Sequence, residues 1–112
     1  MESRIEKSLI DILTAIDEID LFFENRPKQF DVYLSDICLR RAIERNISII
    51  GEAVNRILKL KPDINITSAR NIVDTRNYVI HSYDNVIDEI MWGIVIRHLG
   101  TLKSEVTSLL KQ

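Results

Sequence analysis

Chain breakers are scarce in this sequence: three glycines and two prolines in 112 residues. Tight turns and hairpins draw on those residues, so their scarcity argues against a many-stranded β fold. A lone cysteine, Cys38, excludes an internal disulfide framework and suits a reducing compartment. Because it lies in an apolar stretch, Cys38 is expected as a small core residue. No run approaches ~18 consecutive apolar residues, so no membrane span is expected. The first residues, Met-Glu-Ser-Arg-Ile-Glu-Lys, lack the apolar centre of a secretion signal, and a cytoplasmic location follows as the expectation. No cluster of His, Cys, Asp and Glu has metal-ligand spacing, and no glycine-rich phosphate loop is present. Neither a metal nor a cofactor is therefore expected.

Aliphatic residues are what the chain has in abundance. Ile5, Leu9, Ile12, Ile16, Ile19 and Phe23 recur at steps of three and four, the stripe of a bundle helix running from about Glu2 to Asn25 and stopped by Pro27. Asp31 can cap a short turn. A second helix starts near Ser35 or Asp36 and continues to about Leu60, with Ile43, Ile47, Ile50, Val54 and Ile57 on one face and Pro62 as its stop. A third follows a cap at Thr67 or Ser68 and ends near His81–Tyr83, where Ser82, Asp84 and Asn85 favour local side-chain bonds. Ile87, Met91, Ile94, His98, Leu102, Val106 and Leu109 mark a fourth, from about Asp88 to Leu110. The expected fold is all-α: one domain over residues 1–112, an antiparallel four-helix bundle. So much isoleucine in so small a bundle suggests a homodimer.

Net charge is −2, but its distribution is uneven. Residues 1–39 carry four basic and nine acidic groups, residues 40–76 eight and four, and residues 77–112 three and four. The basic excess sits in the second helix and at Arg76, a local field suited to a polyanion, although Lys59 and Lys61 read as solvated surface charge.

The residues with most chemistry are Arg76-Asn77-Tyr78-Val79-Ile80-His81-Ser82-Tyr83, an Arg-x4-His-x-Tyr array. A guanidinium grips two phosphate oxygens at once and stays charged. Imidazole exchanges a proton near neutral pH, and in phosphodiester cleavage it would take one from a ribose 2′-hydroxyl or give one to the departing 5′-oxygen. On a regular helix Arg76 and His81 lie about 140° apart around the axis. Either the helix unwinds after Ile80, or two chains supply the two groups across a twofold axis. The competing reading is structural: the same residues can satisfy helix-terminal carbonyls and the macrodipole. Asp74, Asp84 and Asp88 have spacings that suit capping and surface pairing. His98, on an apolar stripe, reads as a core or boundary histidine.

The array, followed by Asp84 and an apolar helix containing Trp92, resembles the HEPN superfamily and more closely its HepT-like toxins of the HepT–MntA toxin–antitoxin type. Arg41-Ala42-Ile43-Glu44-Arg45-Asn46-Ile47 and Ile49-Ile50-Gly51-Glu52-Ala53 look like that group's second-helix signature. The resemblance spans essentially the whole chain. It implies a helical HEPN-like homodimer with paired motifs lining an interface cleft. It also implies a metal-independent endoribonuclease leaving 2′,3′-cyclic phosphate ends, the toxin of a type VII-like module. By position, Arg76 and His81 match the catalytic pair, Asn77 the supporting polar residue, and Tyr83 the tyrosine to which a minimal nucleotidyltransferase antitoxin, MntA-like, adds AMP. Arg41, Arg45 and Glu52 are similar to residues that support the cleft or contact RNA. The alternative is a non-catalytic helical module that binds a nucleotidyltransferase or its substrate.

Overall fold

The computed structural model describes residues 1–67, 69–81 and 86–112, the side chains at 76, 78–81, 86 and 87 excepted. Described residues form six helices and no strand: α1 (Ser3–Phe22), α2 (Phe30–Ser35), α3 (Ile37–Leu60), α4 (Ala69–His81), α5 (Val86–Arg97) and α6 (Leu99–Leu110). None is long and apolar enough to cross a membrane.

Helices α1 and α3 form the spine. Every position of the α1 stripe, from Ile5 to Phe23, is buried, and so are Ile43, Ile47, Ile50, Val54 and Ile57 of α3. Their antiparallel pairing is fixed by polar links at both ends of the seam. Asn46, almost fully buried, donates from Nδ2 to the Ala15 carbonyl (3.1 Å) and to Glu18 Oε1 (2.9 Å). Near the other end Arg56 Nε donates to Ser8 Oγ at 3.3 Å. A buried amide with partners on the facing helix sets register as well as adding stability, since a slip would orphan it. Asp36 caps α3, accepting from the Leu39 amide at 3.1 Å, and its other oxygen accepts from Arg26 Nη1 at 2.7 Å.

Three expectations need correction. The expected Asp88–Leu110 helix is two helices that break at His98. The ladder continues on both sides, from His98 N to Ile94 O (3.0 Å) and from Leu102 N to His98 O (3.0 Å), so the break is a kink. A Cβ on Gly100 would meet nothing within 4 Å; the weak helix formers His98, Gly100 and Thr101 account for the kink better than crowding does. The turn at Asp31 is a six-residue helix, α2, whose Tyr33 is wholly buried. Cys38, expected in the core, is exposed on the first turn of α3.

Candidate functional site

Helix α4 carries the array, and its two ends are held differently. At its start Thr67, expected as a cap, donates from both amide (3.0 Å) and hydroxyl (2.6 Å) to Glu105 Oε2 of α6. The loop entering α4 is thereby tied to the last helix, with Ile66 buried beside it; Ser68 lies outside the described residues. Ala69, Ile72 and Val73 are buried, and Arg70, Asn71, Asp74 and Asn77 are exposed. At about 100° per residue, position 76 falls in the middle of the sector defined by positions 69, 72 and 73. Position 76 thus takes a core-stripe register. Positions 77 and 81 fall about 100° and 140° further round.

Helix α4 is regular through His81. Unwinding after Ile80, one of the two ways of bringing the pair together, falls mainly on residues 82–85, which lie outside the described residues. Positions 76 and 81 stand about 7.5 Å apart along the axis on different faces. The side chains of Arg76 and His81 are not among those described, and Tyr83, like Ser82, Asp84 and Asn85, lies outside the described residues altogether.

Beyond that segment, α5 is anchored by a polar cluster that spacing did not reveal. Asp88 was expected to cap or pair at the surface. It is instead largely buried, its Oδ1 accepting from the Tyr33 hydroxyl (3.3 Å) and its Oδ2 from Arg40 Nη1 (3.4 Å). Burial, then the nearby Asp88 and Glu44 charges, push the Tyr33 phenol well above its ordinary range. Trp92, one turn on, packs against Phe23, Tyr33 and Phe30 at 5.7, 5.5 and 6.2 Å between ring centres. Helix α5 is therefore pinned to α1, α2 and α3 from its first turn. The partners are 55 and 48 residues apart in sequence, so no local signal announces them.

Arg41, Arg45 and Glu52 lie within about 40° of one another around α3, all exposed, on the side away from its buried stripe. Arg41 pairs with Glu44 (2.9 Å). They form one solvent-facing strip. Lys59 and Lys61 are exposed, as expected of surface charge. Among the described residues, no group of three His, Cys, Asp or Glu is placed to hold a metal ion.

A protein-family model described as HepT-like, ribonuclease HepT-like, matches residues 12–109. The chain belongs to the HepT-like ribonuclease family. A protein of Caldanaerobacter subterraneus subsp. tengcongensis named as a putative RNase is 29% identical over 84 residues, which cover 74% of this chain and 75% of that one. Two proteins of Methanocaldococcus jannaschii, also named as putative RNases, are 28% and 25% identical, covering 92% and 96% of this chain and 84% and 88% of theirs. No solved structure matches.

Among the described residues, two of the grooves of this HepT-like chain are spacious and carry several polar side chains. One, of about 720 Å³, lies at the α1–α3 seam and is lined by Arg4, Lys7, Arg56 and Lys59 around Asp11. Its cations are partly neutralised: Lys7 and Arg56 both reach Asp11, at 2.7 and 3.4 Å, and Arg4 reaches Glu2 at 3.1 Å. The other, of about 370 Å³, runs between α4 and α5 and includes Asn71, Thr75, Glu89, Gly93, Arg97 and His98. His98, half-buried, is thus a boundary histidine in polar company.

Proposed function

We propose that this chain is the RNA-cleaving toxin of a two-component module, a metal-independent endoribonuclease that works as a homodimer in the cytoplasm. The observation that carries the reading is the HepT-like match over residues 12–109, which encloses an intact Arg76-x4-His81-x-Tyr83 array. Imidazole at position 81 takes the proton of a ribose 2′-hydroxyl as that oxygen bonds to phosphorus. The bond from phosphorus to the 5′-oxygen breaks, the leaving oxygen gains a proton, and the products are a 2′,3′-cyclic phosphate and a 5′-hydroxyl. General acid–base help of this kind is typically worth about 10²–10⁴-fold. The Arg76 guanidinium offsets charge on the non-bridging oxygens. Asn77, exposed beside it, supports the phosphate.

Helical geometry supports the dimer. A regular α4 turns Arg76 and His81 onto different faces, so the pair meets over one phosphate most simply when each chain contributes one member. Silencing follows from charge and bulk: AMP on Tyr83, added by a nucleotidyltransferase partner, would put an anion where the RNA phosphate binds and repel the substrate. Arg76→Ala and His81→Ala should each abolish cleavage of single-stranded RNA while circular dichroism stays unchanged. Retention of full cleavage by both variants would overturn the nuclease reading.

A further inference from the structure

The groove between α4 and α5 shares a helix with the array. Thr75 immediately precedes Arg76, about 100° round the axis from it, and Asn71 lies about 7.5 Å back along the axis and about 140° round. The groove thus flanks position 76 on a neighbouring face, where a bound strand that curves round α4 would place its next nucleotide. We infer that this groove is a subsite for the ribonucleotide that flanks the scissile linkage. The inference rests on the nuclease reading and adds a site of recognition to it.

The chemistry of the walls selects the ligand. A Cβ built on Gly93 would meet only Arg97 Nη1, at 3.9 Å, so the guanidinium lies over a floor that has no side chain of its own. A guanidinium in that place suits a phosphate. Thr75 donates its hydroxyl proton to the Asn71 carbonyl (2.8 Å), which leaves the threonine oxygen free to accept. The Asn71 side-chain amide adds both donor and acceptor capacity. Glu89, which as a carboxylate can only accept, would repel a bare phosphate; it suits a sugar hydroxyl or an exocyclic amine on the same ligand. Ile90 and Ile94 give the apolar surface against which a base packs. An arginine for phosphate, a carboxylate for hydroxyls and an aliphatic wall for a base together describe a ribonucleotide. A volume of about 370 Å³ accommodates one.

Two variants test this without touching the array. Arg97→Gln removes the cation from an exposed side chain; Gly93→Leu fills the floor at a helical position where a Cβ has room. Each should raise KM for single-stranded RNA by about tenfold, the value of one charge-assisted contact, with kcat within twofold. A dinucleotide substrate with no flanking residue should be cleaved equally by wild type and both variants. Binding is read separately, by fluorescence anisotropy of a labelled single-stranded RNA on the His81→Ala background. There Arg97→Gln should also lower the slope of log affinity against log salt by about 0.7, the signature of one lost phosphate contact on a single strand. Unchanged KM and unchanged RNA affinity in both variants would overturn the subsite. An inert His81→Ala effect on cleavage would overturn the nuclease instead, while the anisotropy would still decide the groove.

Discussion

Removal of Asp88 tests how α5 is fixed. Its carboxylate serves two groups of unequal exposure: Tyr33, wholly buried, and Arg40, whose side chain keeps 27% of its surface in water. In Asp88→Ala the Tyr33 hydroxyl loses its acceptor with no water at hand, a cost of about 1–3 kcal/mol. The 3.3 Å separation is long for a hydroxyl donor and puts the cost in the lower half of that range. Arg40 keeps part of its guanidinium in water although its Nε is buried without a partner, so its lost ion pair adds about 1 kcal/mol. The sum is about 2 kcal/mol, or roughly 8 °C in Tm for a domain of this size. Tyr33→Phe keeps the ring packing and should cost about 1 kcal/mol. The decisive measurement is the double variant by urea denaturation. With no hydroxyl left to orphan, Tyr33→Phe/Asp88→Ala should be more stable than the two single losses added together, by about 1 kcal/mol. Additive losses, or an Asp88→Ala change below about 0.5 kcal/mol, would show that the cluster anchors nothing.

Asn46→Ala should destabilise by about 2 kcal/mol, from one buried and one part-buried hydrogen bond and a small void, whereas Arg45→Ala beside it should stay within about 0.5 kcal/mol; urea unfolding distinguishes them. Cys38 should react with a thiol reagent in the folded protein nearly as fast as in the unfolded one, and Cys38→Ser should leave Tm unchanged. The Arg26 guanidinium, then the Leu39 amide, hold Asp36 below its ordinary 3.8. Its contribution to stability is therefore present above that pH and is lost as pH falls through the folded value. Asp36→Asn, which keeps the cap, should flatten this acid limb. At the alkaline end the raised Tyr33 phenol works with the opposite sign. The unfolded chain ionises near 10.0 while the folded one resists, so stability declines as pH rises past that point, and less steeply in Tyr33→Phe.

Periodicity made the long helices legible because burying an aliphatic stripe leaves its period in the sequence. The α1 stripe and five α3 positions are buried as the spacing predicts, and Leu60 ends α3 two residues before Pro62. Six residues of α2 are too few to show a period, so Tyr33 gave no sign of its burial. Cys38 misled because apolar neighbours do not fix a face: Ile37 beside it is also exposed, and the inward side of α3 begins at Leu39. The kink at His98 interrupts a stripe that reads as continuous, since Ile94, Leu102 and Val106 are buried on both sides of it. Asp88 was read from its neighbours along the chain, yet its partners come from α2 and α3. The array announced itself through residue types alone, and α4 added the register of Arg76 against Ala69, Ile72 and Val73.

That register makes the shared-site proposal testable by complementation. Neither Arg76→Ala nor His81→Ala homodimers should cleave RNA if each pocket takes its guanidinium from one subunit and its imidazole from the other. A heterodimer of the two variants would hold one pocket with both groups and one with neither. Random pairing of equal amounts places half the dimers in that class, each with one working pocket of two, so about a quarter of wild-type activity should return on mixing and subunit exchange. Pockets built within a single chain predict no recovery at any ratio, because every chain then lacks one member of its own pair. The double variant Arg76→Ala/His81→Ala mixed with wild type supplies the control. Its heterodimers have no complete pocket under the shared arrangement but keep one under the single-chain arrangement, so activity per wild-type chain falls by about half in the first case and stays constant in the second.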